Sequence, residues 1–297
     1  MKKKEQKKVI SFLLALVLLF GYYFYNNSLD ESYSYNPETN IVTTDLKVYY
    51  LDVGQADSIL ISNNNHNMLI DAGNNEDGPL LVKYIKEELN ITKFDYVVGT
   101  HPHEDHIGGL DDIINNFQVD NVLLPEVTTT TKTFEDVLDA IENKHLNITI
   151  PEIDSTFKLG EAYLTTLYTG TDERDLNNSS IVIKMTFGNH SYLFTGDAET
   201  KVEEIILNKN INVDVLKVGH HGSNTSSSDS FLSKVTPSYA IISVGKNNSY
   251  NHPSPETLDK LRKYTDKIYI TSEQGTILLT SDGQTIDVKN FNTNTNG

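Results

Sequence analysis

Thr100-His101-Pro102-His103-Glu104-Asp105-His106-Ile107-Gly108-Gly109 places three imidazoles and two carboxylates within six residues, a density of metal-binding side chains that no other part of the sequence approaches. The run before it, residues 94–99, is apolar and β-branched, which predicts a buried strand that ends where the histidines begin. The cluster is therefore expected on a loop at the carboxyl end of a strand.

The spacing within this cluster predicts two metal ions rather than one. His101 and His103 alternate in an extended segment and can point the same way, whereas Asp105 and His106 follow a turn and can face a second position. Imidazole and carboxylate donors without thiolate suit zinc or a neighbouring first-row metal, and sites of this kind leave positions open for water. An open site predicts catalysis. The alternative, histidines on an ordinary polar loop, fits poorly with so many ligand types at this spacing.

Composition limits the kind of metal site that this cluster can form and the partners that the protein can bind. The chain has 297 residues, enough for one large or two small domains, and it contains no cysteine, so a metal must be held by nitrogen and oxygen. Its formal net charge is −17. Such an acidic surface repels nucleic acid, although it leaves room for a local basic groove or for contact with phosphates through a metal.

The amino terminus predicts a membrane anchor. Residues 1–8 carry five lysines against one glutamate, and residues 9–25 are uncharged, mostly apolar and just long enough to span a bilayer. Basic residues before the span predict that the amino terminus stays in the cytoplasm and that the rest is exported, so we expect a single-pass protein of the cell membrane with an extracellular domain. No Ala-x-Ala-like site follows the span, which favours an uncleaved anchor over a signal peptide.

The remainder of the chain is predicted to form one α/β domain at residues 46–290, after a polar spacer at 26–45 and before a tail at 291–297. Its strands and helices come in a β-rich, mixed, then again β-rich and mixed order. That order predicts two sheets packed together with helices on both outer faces, a four-layer αββα sandwich. Helices are expected near 79–90, 110–116, 133–144, 200–208, 229–235 and 255–263, and the last strand near 276–279.

His101-x-His103-x-Asp105-His106 is accompanied by Asp71 upstream and by Leu193-Phe-Thr-Gly-Asp197 downstream. This pattern resembles that of the metallo-β-lactamase superfamily, and the resemblance extends over nearly all of residues 46–285. The runs at 50–58, 177–180, 214–223 and 242–245 look like its competence-type branch, the exported hydrolase-like domain of ComEC proteins. The resemblance implies the metallo-β-lactamase fold and a site for two divalent metal ions, zinc or alternatively manganese.

Further ligands are expected at the ends of two later strands. Asp197 ends an apolar strand at a Gly-Asp step, so its carboxylate can emerge at the same sheet edge, and the resemblance makes it the ligand that bridges two metals. His220 and His221 end another strand, and the resemblance implies that one of them binds the second metal. We predict His220 as that ligand and His221 as a proton donor or phosphate contact, although the residues alone do not decide between them.

Three polar residues are candidate substrate contacts or alternative ligands. Many members of the superfamily place a histidine before the Asp197 strand, but here Asn177-Asn178 takes that place. Asn178 is a weaker and neutral ligand that leaves the first site more open and favours manganese or variable occupancy. His252 lies in a loop and either binds metal or contacts substrate, or is simply exposed. Ser223 follows the histidine pair with Gly222, where a substrate has room to approach.

Asp71 is predicted to support the site from behind. It closes the strand at 68–71, and a carboxylate in that place can orient a ligand histidine through the ring nitrogen that does not face the metal.

These residues predict a metal-dependent hydrolase in which a metal-bridged hydroxide attacks a phosphorus or acyl centre and the metals stabilise negative charge. By resemblance, Asp105 also orients the hydroxide. Likeness to competence domains and to phosphorylcholine esterases indicates a phosphodiester, either DNA or cell-wall phosphocholine. The alternatives are an inactive binding module of the same fold and a lactone or β-lactam hydrolase.

Overall fold

Two β-sheets face each other across an apolar layer in the computed structural model, which describes residues 42–291. In that part of the chain the strands are β1 Leu46–Tyr50, β2 Ile59–Asn63, β3 His66–Ile70, β4 Lys93–Val98, β5 Gln118–Leu123, β6 Ile148–Thr149, β7 Thr156–Leu159, β8 Ala162–Tyr168, β9 Val182–Phe187, β10 His190–Phe194, β11 Val215–Lys217, β12 Tyr239–Ile242, β13 Ile268–Ile270, β14 Thr276–Ser281 and β15 Ile286–Phe291. The α-helices are α1 Gly78–Glu87, α2 Glu104–Ile107, α3 Leu110–Asn116, α4 Lys132–Asn143, α5 Thr200–Ile206, α6 Asp229–Val235, α7 Pro255–Leu261 and α8 Thr271–Gln274.

Each sheet combines antiparallel and parallel strands. The eight-stranded sheet has the order β15-β14-β1-β2-β3-β4-β5-β6, and it is parallel from β3 to β6. The seven-stranded sheet has the order β13-β12-β11-β10-β9-β8-β7, and it is parallel from β10 to β13. The parallel part of each sheet is the part from which the candidate site is built.

Alternation of side chains along the strands produces the layers. Val48 and Tyr50 of β1 join the apolar cluster between the two sheets, whereas Tyr49 belongs to the cluster that packs under α1, α3 and α4. A third cluster lies between the outer face of the seven-stranded sheet and helices α5, α6 and α7. The predicted four-layer sandwich is therefore confirmed.

Several helices begin where a side-chain cap is available. Thr131 accepts a hydrogen bond from the backbone N–H of Phe134, and Ser254 accepts one from Thr257 immediately before a proline in the first turn of α7. Helix α1 ends at Glu87, before the predicted residue 90, because Asn90 adopts a positive φ of 55° that a helix cannot contain.

The last strand was missed by the prediction, which ended the strands at residue 279. Strand β15 pairs antiparallel with β14 at the edge of the eight-stranded sheet, where Ile286 and Val288 alternate with exposed polar residues. Two half-buried apolar residues give only a weak periodic signal.

The predicted anchor at residues 9–25 lies outside the described residues, and within residues 42–291 no helix is long and apolar enough to cross a membrane.

Candidate metal centre

Five strands end at the same edge of the sandwich and carry the polar residues of the site. Strands β3 and β4 are parallel neighbours in one sheet, and β10, β11 and β12 are parallel neighbours in the other. Since the carboxyl ends of parallel strands meet at one sheet edge, the residues that follow these strands come together although they are far apart in sequence. Asp71, the 101–106 cluster, Asp197, the histidine pair and Ser243 all follow such strand ends.

The histidine cluster has the two-part geometry that its spacing predicted. His103 is extended, with φ −81° and ψ 150°, and it stands at the start of the one-turn helix α2, which carries Asp105 and His106. Gly108 follows this turn, and a Cβ there would lie 2.3 Å from the backbone carbonyl carbon of Asn74. The glycine after the cluster therefore allows the turn to pack directly on the neighbouring loop.

Asp197 lies at the centre of the converging side chains, with each carboxylate oxygen facing a different pair of imidazoles. Its Oδ1 is 3.3 Å from His106 Nε2 and 3.7 Å from His221 Nε2. Its Oδ2 is 3.9 Å from His101 Nε2 and 3.7 Å from His220 Nε2. A carboxylate that bridges two metal ions would present its oxygens in this way.

One side of Asp197 forms a compact ligand set. One ligand atom from each of Asp105, His106, Asp197 and His221 lies within 4.8 Å of the others. Asp105 Oδ2 is 3.2 Å from His221 Nε2 and 3.8 Å from His106 Nε2. Two imidazoles and two carboxylates in this arrangement fit one divalent first-row metal ion.

The other side of Asp197 is more open. His101 Nε2 lies 3.0 Å from His103 Nδ1, so these two imidazoles present nitrogen atoms to a common point beside Asp197 Oδ2. His220 closes this side only in part, because its side chain is 22% exposed and its Nε2 lies 3.4 Å from the amide nitrogen of Asn177.

Buried atoms without hydrogen-bond partners support a metal in this place. His106 Nε2 and Asp197 Oδ1 are both buried and face each other, and neither makes a hydrogen bond within the described part of the chain. Buried polar atoms are rarely left unsatisfied, and such a pair of donor atoms is what a metal ion would occupy. The residues present therefore fit the metal ions that the motif implies.

Charge on the compact side favours a cation. Burial opposes protonation of His106, but Asp197, Asp71 and Asp105 outweigh burial and hold the pKa of His106 well above its usual range. Burial likewise opposes protonation of His221, yet Asp197 and Asp57 raise its pKa to about 10. On the more open side, burial and the neighbouring His106 lower the pKa of His101. Without metal, the compact side therefore holds protons in place of a cation.

Both imidazoles of the compact side are held through their second nitrogens. His106 Nδ1 lies 2.8 Å from Asp71 Oδ2, and Asp71 also accepts hydrogen bonds from the backbone N–H and the hydroxyl of Thr100. His221 Nδ1 lies 3.0 Å from the carbonyl oxygen of Ser243. Such contacts fix which ring nitrogen faces the metal. The structure thus places Asp71 behind a histidine, where the sequence predicted it.

The turn after β11 explains how two consecutive histidines reach the same carboxylate. His220 and His221 both adopt left-handed backbone conformations, with φ of 48° and 51°. In a strand their side chains would point to opposite faces, whereas this turn brings one to each oxygen of Asp197. Non-glycine residues in this region cost on the order of 1–3 kcal/mol each, and such strain concentrates at functional sites.

This geometry favours the opposite assignment of the histidine pair from the one predicted. His221 is 2% exposed and belongs to the compact ligand set, whereas His220 lies on the more open side and faces the cavity. Nδ1 of His220 lies 3.1 Å from Glu199 Oε1. His221 is therefore the candidate ligand of the second metal, and His220 the candidate proton donor. The sequence could not distinguish them because the left-handed turn has no clear signature in adjacent histidines.

Two other predicted contacts are not brought into the site. The amide of Asn178 is used by its own surroundings, since its Nδ2 donates to Asp175 and its Oδ1 accepts from the backbone N–H of Glu199. Its neighbour Asn177 lines the cavity in its place. Ser223 is buried, and its hydroxyl contacts Thr225 rather than the cavity.

A cavity of about 330 Å³ opens over the centre. His252 lines it as a half-buried side chain that packs edge-on against His220 and stacks with Tyr250 at a ring-centroid distance of 5.8 Å. Its other lining residues are Gln55, His103, Glu104, Asp105, Asn177, Asp197, His220, His221 and Tyr250. The residue types that line this cavity, within the part of the chain that is described, include no lysine or arginine.

The sequence prediction missed Asp57, Gln55, Asn177 and Tyr250. Asp57 and Gln55 belong to the run at 50–58 that carried the family resemblance, so a signal was present there but no role could be attached to it. Asn177 is adjacent to the predicted Asn178, and only the course of the short 3-10 turn at Asn177–Ser179 decides which amide faces the cavity.

Comparison with known proteins agrees with this geometry. Residues 51–246 match the sequence model of the metallo-β-lactamase superfamily. ComE operon protein 3 of Bacillus subtilis is 30% identical over 252 residues, which cover 78% of this chain and 32% of that protein. Competence protein ComA of Neisseria gonorrhoeae is 29% identical over 260 residues, covering 82% of this chain and 33% of the relative. The chain thus spans about a third of the length of these relatives.

Solved structures share the fold at low sequence identity. The metallo-β-lactamase fold protein YhfI of Bacillus subtilis matches with a TM-score of 0.54 and 12% identity, over 83% of this chain and 100% of that one. CmlA of Streptomyces venezuelae, a diiron β-hydroxylase, matches with a TM-score of 0.52 and 15% identity, over 77% of this chain and 53% of that one. At these identities the likeness concerns the fold alone.

Proposed function

The chain belongs to the metallo-β-lactamase superfamily, and from this premise we propose that it is a metal-dependent hydrolase of phosphodiester bonds. The observation that carries the proposal is the placement of Asp197, whose two oxygens each face a separate pair of imidazoles. A site for a single structural metal would need ligands beside only one of the two oxygens of Asp197.

Named residues would hold the metals. His101, His103 and Asp197 would bind the first ion, and Asp105, His106, Asp197 and His221 would bind the second. Two divalent ions held there would lower the pKa of water and stabilise negative charge in the transition state.

The protein's own groups have separate tasks in this proposal. The second oxygen of Asp105 can accept a hydrogen bond from the attacking water and so orient it, because this side chain is 31% exposed and lines the cavity. His220 also faces the cavity, and contact with Glu199 fixes its ring, so it can donate a proton to the leaving oxygen.

Two observations favour a phosphodiester over other esters. Imidazoles and carboxylates line the cavity, and its lining within the described residues includes no lysine or arginine. The positive charge that binds an anionic diester would therefore come from the metals. Two relatives of the chain are named for competence and recombination, which favours a nucleic-acid strand. A choline phosphodiester of the cell wall is the second substrate with the same reacting bond.

We also propose that residues 9–25 anchor the enzyme in the cell membrane and that the catalytic domain lies outside the cell. The five lysines of residues 1–8 before the apolar stretch support this orientation. The substrate would then be extracellular.

A panel of substrates tests the function. The full chain in detergent is assayed with and without added Zn²⁺ or Mn²⁺ against a single-stranded oligonucleotide, a phosphocholine ester, a lactone and a β-lactam. We expect hydrolysis of a diester that chelator abolishes and metal restores. A metal-loaded chain that hydrolyses none of the four would contradict the proposal and favour a binding module.

One matched pair of variants locates the chemistry. Asp105→Asn should lower turnover by about a hundredfold or more, because it removes a charged ligand of nearly the same size. Asp136→Asn, on an exposed carboxylate of helix α4, should leave turnover unchanged. Equal activity in both variants would place the chemistry elsewhere.

A further inference from the structure

A buried ion pair lies directly behind the compact metal side. Lys217 Nζ is 2.7 Å from Asp57 Oδ2, and the two side chains are 0% and 1% exposed. The ammonium group also donates a hydrogen bond to the carbonyl oxygen of Val218 at 3.1 Å. Neither residue lines the cavity.

Stability alone does not explain this pair. Removing two charges from water opposes folding, and apolar residues of similar volume often stabilise a protein as well or better. The pair does connect the two sheets, since Lys217 ends β11 of one sheet and Asp57 stands just before β2 of the other. Apolar side chains could join the sheets there without a charge, so the charge itself calls for an explanation.

Asp57 contacts two of the four residues of the compact ligand set, His221 and Asp105. Its Oδ1 lies 3.4 Å from His221 Nδ1, on the ring edge opposite the metal-facing nitrogen. Its backbone N–H donates to the carbonyl oxygen of Asp105 at 3.0 Å, and its own carbonyl accepts from Gly73, next to the Asp71 loop. One residue therefore joins the ring of one ligand to the backbone of another.

We propose that Asp57 and Lys217 are positioning residues for the second metal ion, an inference that rests on the proposed metal-dependent function. Lys217 balances the charge of Asp57 and fixes its carboxylate. The Ser243 carbonyl accepts the Nδ1–H of His221, and the negative charge of Asp57, 3.4 Å from the same nitrogen, favours the proton there, so that Nε2 presents its lone pair to the metal. Carboxylates behind ligand histidines typically affect metal affinity by about ten- to hundredfold when they are replaced.

Stepwise zinc affinity tests this role without using catalysis. The full chain is stripped of metal and titrated with Zn²⁺ against a chromophoric chelator, which resolves two binding constants. In Asp57→Asn/Lys217→Met both charges are removed together, so no unpaired ion is left buried. We expect this variant to bind one zinc ion as the wild type does and the other about ten- to hundredfold more weakly.

A buried lysine elsewhere provides the matched control. Lys184 of β9 is 9% exposed, donates to the carbonyl oxygens of Asn210 and Asn212, and does not line the cavity. Lys184→Met should lower the unfolding temperature of the metal-free protein and leave both zinc affinities unchanged. If Lys184→Met lost as much zinc affinity as the double variant, the inference would be overturned, because replacing any buried lysine would then weaken zinc binding.

The outcomes separate this inference from the proposed function. If the double variant does not accumulate as folded protein, Asp57→Asn alone answers the question, since its amide oxygen still accepts from Lys217 while the carboxylate charge behind His221 is lost. Wild-type affinity for both zinc ions in the folded variants contradicts the positioning role. A wild-type chain that binds two zinc ions but hydrolyses no diester contradicts the function and leaves the positioning test intact.

Discussion

At the scale of single residues, the site depends on which nitrogen or oxygen each side chain offers. Asp197 presents one oxygen to each side of the centre, and both imidazoles of the compact side, His106 and His221, are oriented by a partner at the other nitrogen. The candidate ligands of the 101–106 motif and Asp197 could be predicted from the sequence, because their spacing restricts where they can point, and the structure brings them together. The roles of His220 and His221 were not readable, since they follow from the left-handed turn.

Exchange of each histidine for glutamine tests these roles. His221→Gln should weaken binding of the second zinc ion and lower turnover by about a hundredfold or more, because it removes a ligand. His220→Gln should keep that zinc ion and lose about a hundredfold in turnover if its ring donates a proton. Metal content and turnover, measured on the same samples, distinguish the two. The opposite pattern would restore the assignment predicted from the sequence.

The pH dependence of the metal-free protein follows from His221. Opposing charges raise its pKa to about 10 in the folded state, against about 6.5 in an unfolded chain. A raised pKa means that the folded state holds the proton more tightly, so this stabilisation is complete below about pH 6.5 and is lost as pH rises towards 10. Urea unfolding of the metal-free wild type should show this decline, and His221→Gln should lack that part of it. Parallel curves for the two proteins would contradict the raised pKa.

At the scale of elements, parallel strands and the turns after them bring the ligands together. The sequence indicated the strands before residues 101 and 197, because each is a short apolar run that ends in polar residues. It did not indicate β15, where two half-buried residues provide too little periodicity at a sheet edge. It also placed Asn178 at the site, although the 3-10 turn there presents Asn177. Buried strands with an apolar pattern were thus predictable, whereas a half-buried edge strand and short turns were not.

The turn of the histidine cluster should tolerate no side chain at Gly108. A Cβ at this residue would lie 2.3 Å from backbone atoms of Asn74 and Asn75, which cannot move aside as a flexible side chain could. Gly108→Ala should therefore lower the free energy of unfolding by about 1–3 kcal/mol through overpacking and should weaken zinc binding.

Gly54→Ala is the control for this substitution. Gly54 adopts a left-handed backbone, with φ of 70°, but a Cβ there meets nothing within 4 Å. Its alanine variant should lose about 1 kcal/mol from backbone strain and keep wild-type zinc affinity. Chemical denaturation and zinc titration of both variants provide the comparison, and an unaffected zinc site in Gly108→Ala would show that the turn has room to relax.

At the scale of the whole molecule, the proposed orientation determines which substrates the enzyme can meet. Protease added to intact cells should remove the domain that follows residues 9–25, because only that part is proposed to lie outside. A cytoplasmic protein in the same cells serves as the control for lysis. Protection of the domain in intact cells, followed by degradation after lysis, would contradict the extracellular assignment.

The central claim is that two metal ions bridged by Asp197 hydrolyse a phosphodiester, and metal stoichiometry measured together with activity tests it most directly. Metal-free protein is titrated with Zn²⁺ while bound zinc and hydrolysis of a single-stranded oligonucleotide and a phosphocholine ester are followed in the same samples. We predict that hydrolysis of at least one diester rises as the second equivalent binds, and that Asp197→Asn loses both the second equivalent and the activity. Full activity with one equivalent or none, or two bound equivalents without hydrolysis of either diester, would contradict the account.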